Sequence, residues 1–401
     1  MIKEDYEIWL EDINRNKYPR GVLPNEVDFL VIGGGMAGIT SAYLLAKQGK
    51  QVLLVEKKIL GEWVTDCTTG FLTGAIDTDP NKLIKMFGYD QAKLILASHF
   101  EAINEIEKII NSEGIECEFE RCTNYIYANN LKEEKALIKL AQGYKRLGVP
   151  AEYKKENVLK FNDFGYVEMP NHAKFQAMKY LTALAKLATK YGAIIVENTE
   201  VLELEDRDDS VNVKIKDVGL VKAKNVVSAT HEPFPGQKTL SQLYNIYREY
   251  VLEYKLEKNQ LEIGTYEDTR SPYNYFRIDR KPDYDRLIIG GADHLNVIKI
   301  DRQINFDVMR KYTKGLFANF KLEERRYWSG LMQETNDGLA YIGNLNNSKV
   351  FYIFGFSGNG MTYSYIAGKI LLDQVLSRSN PYANIYRLNR KLAWWKKLYL
   401  K

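Results

Sequence analysis

The sequence predicts a mixed α/β fold in which a domain of buried parallel strands is interrupted by a sheet-rich insertion. Three observations carry this expectation. Short unbroken apolar runs occur near the start, middle and end of the 401-residue chain: VDFLVIG from Val27, QVLLVE from Gln51, NVVSAT from Asn225 and VFYIFGF from Val350. Such runs fit strands covered on both faces, as in a parallel sheet flanked by helices. Two of the runs are followed by a glycine-rich turn and an apolar helix, and residues 246–300 read instead as successive strands rich in Tyr and Ile. The expected boundaries assign 1–80, 165–235 and 326–401 to the first domain and 81–164 and 236–325 to the insertion.

In chain order, VDFLVIG is the first strand, MAGITSAYLLAKQGK the helix after it with Gly49 as its stop, and QVLLVE the second strand. Together they form a β-α-β unit. Between about Lys82 and Ser112, Ala92, Leu96, Phe100, Ile103, Ile106 and Ile110 recur at helical spacing, which marks a core-facing stretch. CEFERCTNYIYA reads as strands. A further amphipathic helix is expected from about Ala173 to Tyr191, with Ala177, Leu181, Leu184, Ala188 and Tyr191 on one face. AIIVEN, VLELED, VNVKIK and VKAKNVVSAT follow as strands, and LIIGGADH as a buried strand ending in a turn. The chain then closes with the strand VFYIFGF, the sharp turn SGNG and the long helix MTYSYIAGKILLDQVL.

Composition narrows the function classes. Hydrophobic content of 45% suffices for a sizeable core, and 56 basic against 52 acidic side chains leave a net charge of only +4. A mixed charge of this kind argues against a nucleic-acid binder. Cys67, Cys117 and Cys122 have neither the count of a disulfide framework nor the spacing of a zinc site, so free thiols and no metal are expected. The charged N-terminus has no apolar signal core, and no uncharged run approaches the roughly 20 residues of a membrane span. A cytoplasmic protein is the expectation.

The stretch Gly33-x-Gly35-x-x-Gly38 sits between the first strand and its helix. At this spacing Gly33 permits the tight turn, Gly35 the approach of backbone to a pyrophosphate, and Gly38 close packing of helix on strand. The helix opened by Met36 and Ala37 offers its unpaired N–H groups and dipole to the phosphates. Glu56, followed by Lys57, ends the second strand 23 residues beyond Gly33, where a carboxylate can accept from ribose hydroxyls. An adenine dinucleotide is therefore expected. The fingerprint does not separate FAD from NAD, but two features favour FAD. No second fingerprint appears downstream, and GFSGNGMT aims a second helix N-terminus, which could stabilise negative charge on a reduced flavin.

With these blocks in order, the chain resembles the D-amino-acid-oxidase-like FAD-dependent oxidoreductases, relatives of glycine and sarcosine oxidase. The resemblance rests on the glycine fingerprint, VKAKNVVSATHEPF, WSGLMQETNDGLAYIG and GFSGNGMTYSYIAGKIL. TDCTTGFLTGAID, PYNYFRI and LIIGGADH further resemble a bacterial subgroup that often carries a C-terminal Rieske domain; no Cys-x-His pair follows Asn380, so that domain is expected to be absent. The resemblance implies a Rossmann-like FAD-binding domain and an antiparallel-sheet substrate domain roofing the flavin. It also implies roles by position: Gly33, Gly35, Gly38 and Glu56 on the adenosine diphosphate, and Thr68, Thr69 and Gly70 along the flavin ring. Val201 would present backbone to the adenine, Ala229 and Thr230 would pass the phosphates, and Gly358, Asn359, Gly360, Met361 and Thr362 would cap the pyrimidine end.

Two departures from that pattern bear on chemistry. Where many family members carry a carboxylate-gripping arginine, WSGLMQ places Met332, which cannot form a bidentate salt bridge. None of the three cysteines lies where sarcosine oxidases tether flavin, so non-covalent FAD is expected. The implied reaction is hydride transfer from an amine or amino-acid C–N bond to flavin N5, giving an imine, with oxygen or an unidentified acceptor as reoxidant. Two alternatives stay open: a flavin-dependent 2-hydroxy-acid dehydrogenase, and a flavin-binding redox partner without a small substrate.

Strand alternation in SPYNYFRI puts Tyr273, Tyr275 and Arg277 on one face, where Arg277 could replace the missing anion clamp. His231, His294 and Tyr363 are further candidates for direct chemistry. The tail LNRKLAWWKKLYLK interleaves basic and aromatic residues, and packing on protein is expected there in preference to peripheral membrane contact.

Overall fold

The computed structural model of the protein describes residues 9, 10, 13, 15–155, 159–234, 238–346 and 348–390. Two sheets organise it. In the first, the strands Val350–Phe354, Gly219–Ser228, Glu26–Ile32, Val52–Val55 and Ile194–Val196 lie parallel in that spatial order, with Tyr341–Asn344 antiparallel on the outer edge. Every residue of Val52–Val55 and of Val350–Phe354 is buried, as expected of strands covered on both sides. Phe29, Val31 and Leu54 point into a core shared with the helices Met36–Ala46, Ala177–Lys190 and Gly360–Val375. Val27, Leu30, Leu53 and Val226 point the other way, under a hairpin of Val201–Asp206 and Val211–Ile215.

The second sheet runs in the order Leu322–Thr335, Tyr244–Leu256, Asp285–Leu295, Tyr275–Arg280, Gly264–Asp268, Glu120–Tyr127, Tyr166–Lys174, Phe71–Leu72. Its pairings are antiparallel except that between Gly264–Asp268 and Glu120–Tyr127, which is parallel. That exception joins the two separated pieces of chain that build the sheet, and a parallel pair needs such a long intervening connection. Tyr250, Leu252, Phe276 and Ile289 face outward beneath the helix Arg302–Leu316, with Phe276 stacked on Tyr266 at 4.4 Å. Val251, Ile288 and Trp328 face inward and join the core of the first sheet.

Several local readings shift. The long helical stretch after Lys82 is two helices, Pro80–Phe87 and Tyr89–Glu113, broken at Gly88 with φ 87°. Ala173 lies in a strand, paired with Leu72 and Arg121, and the helix begins only at Ala177, where the Gln176 side chain caps the Lys179 N–H. Phe71–Leu72, Tyr166–Lys174 and the second half of Leu322–Thr335 hydrogen-bond in the second sheet, although the expected boundaries group them with the first domain. Conversely, Tyr89–Glu113 packs on the helix Gly360–Val375 and the short helix Ala383–Tyr386: His99 Nδ1 lies 2.8 Å from Thr362 Oγ1 and Ser98 Oγ 2.8 Å from Tyr386 OH. Among the described residues no helix is long and apolar enough to cross a membrane. The tail residues Leu392, Trp394 and Trp395 fall outside the described residues.

Candidate active site

The turn after Ile32 is built from close backbone approaches. Gly33 adopts φ 105°, and a Cβ there would lie 2.4 Å from the Ala229 carbonyl oxygen. A Cβ on Gly38 would lie 1.9 Å from the Gly33 carbonyl oxygen, so a larger residue would push the helix off its own turn. Gly35 occupies the N-cap of Met36–Ala46 and supplies no side-chain cap, although Met36 N–H donates to Thr65 Oγ1 at 3.3 Å. The first-turn amides and the dipole are thereby directed at whatever lies before the helix. Glu56 accepts from Gly34 N–H at 2.6 Å and Lys58 N–H at 2.7 Å, and burial raises its pKa. Lys57 is exposed and pairs with Glu200 at 2.7 Å.

A second helix N-terminus converges from the far end of the chain. The helix Gly360–Val375 also starts without a side-chain cap. Asn359 Nδ2 donates to Thr73 Oγ1 at 2.6 Å and to the Ala75 carbonyl at 3.0 Å, and Gly358 N–H donates to Asp77 Oδ2 at 3.1 Å. These bonds lock the C-terminal turn to the segment after Phe71–Leu72.

Between the two helix ends lies a cleft enclosing about 1300 Å³ free of protein atoms, counting its open mouth. On the nucleotide side it is lined by Gly35, Met36, Ala37, Thr68, Thr69, Ala229 and Gly358 to Met361. The second sheet roofs it with Glu249, Glu267, Tyr273, Tyr275, Gly330 and Met332. Space of this size with a few converging polar groups suits a bound cofactor and substrate. The fit to a dinucleotide flavin is specific: two uncapped helix ends face one cavity, glycines open the backbone beside one of them, and Gln333 lines the wall. Gln333 is 2% exposed, its Oε1 accepts from Gly355 N–H at 3.0 Å, and its Nε2 has no acceptor in the protein.

The remaining candidates are placed differently. Gly33, Gly38, Glu56, Lys57, Gly70, Val201, Thr230 and Thr362 are not among the residues that line this cleft. Thr362 is buried against His99. Arg277 does share a face with Tyr275, but the loop Thr69–Gly70 covers it before it can reach the cleft. It is 1% exposed, donates through NH1 to the carbonyls of Thr69 (2.7 Å), Gly70 (3.0 Å) and Phe175 (3.0 Å), and pairs with Asp279 at 2.7 Å. It holds the Thr69–Gly70 loop in place, with no guanidinium edge left for a substrate anion.

His294 bonds Tyr250 OH at 3.0 Å and its neighbour's carbonyl at 2.9 Å, outside the cleft. Tyr363 is buried in the helix layer, stacked on Phe356 at 5.5 Å, and also lies outside it. Tyr275 does line the cleft and donates to Glu249 Oε2 at 3.0 Å. His231 lines it too, at φ 66°, with the Trp63 ring 5.9 Å away and no partner on Nε2. Burial lowers its pKa to about 4, which keeps the imidazole neutral near pH 7.

Asp77, Glu249 and Glu267 were not among the sequence candidates. Burial pushes Glu249 up to about 7 and Glu267 to about 8, with Asp77 a further negative neighbour of both. A usable signal was present: Glu249 is in strand phase with Val251, a core residue, in YREYVLEYKL. A carboxylate in phase with an inward residue needs a reason.

Comparison with known proteins follows the same lines. A family model described as FAD dependent oxidoreductase (DAO) matches residues 28–374. A protein of Bacillus subtilis named as a Rieske 2Fe-2S iron–sulfur protein is 26% identical over 95% of this chain and 75% of its own length. Gamma-glutamylputrescine oxidoreductase of Escherichia coli is 23% identical over 92% of this chain and 90% of its own. Among solved structures, glycine oxidase from Geobacillus kaustophilus superposes with a TM-score of 0.73 at 18% identity, covering 92% of this chain and all of that one.

Proposed function

Because the chain belongs to the FAD dependent oxidoreductase family, we propose that it oxidises the C–N bond of a small amine or amino acid to an imine. The observation that carries this reading is the single cleft in which the glycine turn, the loop Thr68–Thr69 and the C-terminal turn meet a roof of substrate-domain strands. Bound there, FAD supplies a two-electron acceptor for a hydride from the carbon beside nitrogen, while the nitrogen gives up a proton.

The chain's own residues set the conditions for that step. The first-turn amides of the helix opening at Met36 would receive the diphosphate, Met36 N–H being shared with Thr65 Oγ1, and Gly33 and Gly38 allow the close approach of strand, turn and helix that presents them. The N-terminus of Gly360–Val375, held by Asn359, faces the same cleft and favours negative charge at its mouth. Trp328, fully buried, donates to the Cys67 carbonyl at 2.9 Å and fastens the roof to the loop below it. Tyr275 and Phe71, edge to face at 5.5 Å, exclude water from one end of the cavity. The relatives named above support an amine or amino acid as the substrate class, since their names carry gamma-glutamylputrescine and glycine. Oxygen or another small acceptor completes the cycle.

The test is anaerobic mixing of the flavin-loaded protein with a panel of amines, amino acids and 2-hydroxy acids, followed at the flavin absorbance. Bleaching by nitrogen compounds alone is the expected result. Bleaching only by hydroxy acids, or by none of the panel, would overturn the proposal.

A further inference from the structure

The roof of the cleft has a charge sign opposite to that of a carboxylate-binding site. Resemblance leads one to expect an arginine at position 332, and methionine stands there. In the antiparallel pair formed by Tyr244–Leu256 and Leu322–Thr335, Tyr247 lies opposite Met332 and Glu249 opposite Gly330. Glu249 is therefore the diagonal neighbour of Met332 on the same inward face, close enough for long side chains to address one ligand. Gly330 places only backbone opposite Glu249; a Cβ there would stand in ordinary contact, 3.4 Å from Cys67 Cβ and 3.7 Å from Glu249 Oε1. Tyr275 Oη holds the other carboxylate oxygen of Glu249 at 3.0 Å.

Two more carboxylates complete the wall. Glu267 lies opposite Tyr275 in the next strand pair, and Asp77 accepts from Tyr273 OH at 3.0 Å while bound to Gly358 N–H. Among the described residues that line the cleft there is no lysine or arginine to neutralise Glu249 and Glu267. Independent of these acids, Gln333 shows that the cavity is built around a guest: a buried amide with no acceptor for Nε2 in the protein is costly unless a ligand supplies one.

Resting on the amine-oxidation reading above, we propose that Glu249 and Glu267 form a cation seat that selects amines carrying a second ammonium group and no carboxylate, such as linear diamines. The burial that raises the pKa of both carboxyls is the signature of acids lacking a cationic partner, and a bound ammonium would supply it. A bound ammonium would draw both carboxyls into their charged form, whereas an amino-acid carboxylate finds no cationic clamp on this wall.

The test uses the flavin-loaded protein and three probes with one carbon chain: 1,4-diaminobutane, butylamine and 4-aminobutanoate. Binding is measured by titration calorimetry and flavin reduction by anaerobic mixing. The diamine should bind about tenfold or more tightly than either partner, the range expected of one hydrogen bond to a charged group. Glu249→Gln, which keeps the Tyr275 contact, and Glu267→Gln should each narrow that gap. Met332→Arg should abolish it from the same inward face, by setting a guanidinium diagonal to Glu249. Equal binding of the three probes, or preference for 4-aminobutanoate, overturns the cation seat even if all three bleach the flavin. Tight diamine binding without reduction upholds the seat and counts against amine oxidation instead.

Discussion

Replacing Arg277 by methionine tests whether this side chain positions the flavin-lining loop. Methionine keeps much of the volume and removes the guanidinium. Asp279 would not be left as an orphan charge, because Arg286 donates to its Oδ2 at 2.7 Å and Lys174 lies 2.9 Å from its Oδ1. The loss falls on the carbonyls held by NH1. All three lose the guanidinium donor, but Gly70 keeps a bond from Phe175 N–H at 3.2 Å, so the cost falls on Thr69 and Phe175. At about 1–3 kcal/mol for each buried unsatisfied group, the cost is about 2–6 kcal/mol. Because Thr69 lines the cleft, FAD affinity should fall as well, by an expected factor of about ten or more for a loss of this size. Urea unfolding of the FAD-free protein reads the first quantity and fluorescence titration with FAD the second. Destabilisation under about 1 kcal/mol together with unchanged FAD affinity would refute the reasoning.

Three further outcomes follow from the site. Gly38→Ala should yield a colourless protein on purification, since its methyl would lie 1.9 Å from a backbone oxygen; retention of stoichiometric flavin on the absorbance spectrum would count against the fingerprint's role. Acid precipitation of the yellow protein should release all its FAD into the supernatant, and a yellow pellet would show a covalent link. Glu249 and Glu267, raised from 4.5 to about 7 and about 8, hold protons in the folded state that the unfolded chain has already released. Stability of the FAD-free protein should therefore decline as pH climbs from about 4.5 towards 8, and the double Gln variant should flatten that slope in urea midpoints.

Much of the nucleotide side could be read locally. Gly38 answers to the Gly33 carbonyl within its own turn, and the helix follows directly in the chain, whereas the carbonyl that excludes a side chain at Gly33 belongs to Ala229, at the end of a distant strand. GFSGNGMT is legible for the same reason: turn and helix are contiguous, and Gly358 to Met361 do line the cleft. The roof was less legible. Alternation put Tyr273, Tyr275 and Arg277 on one face; the strand begins only at Tyr275 and keeps Tyr275 and Arg277 in phase, and alternation could not tell that Thr69 and Gly70 would lie over Arg277 and take up its hydrogen bonds.

The amino-acid order by itself determined the β-α-β unit, its glycine turn, the acid at Glu56 and the absence of arginine at 332, because period, turn chemistry and residue identity are properties of short windows. Only the tertiary structure decided that Glu249 stands diagonal to Met332 and that Glu267 and Asp77 share its cavity. Those three acids come from distant segments, and strand register, which fixes such neighbours, is set by pairing between segments that no local pattern specifies.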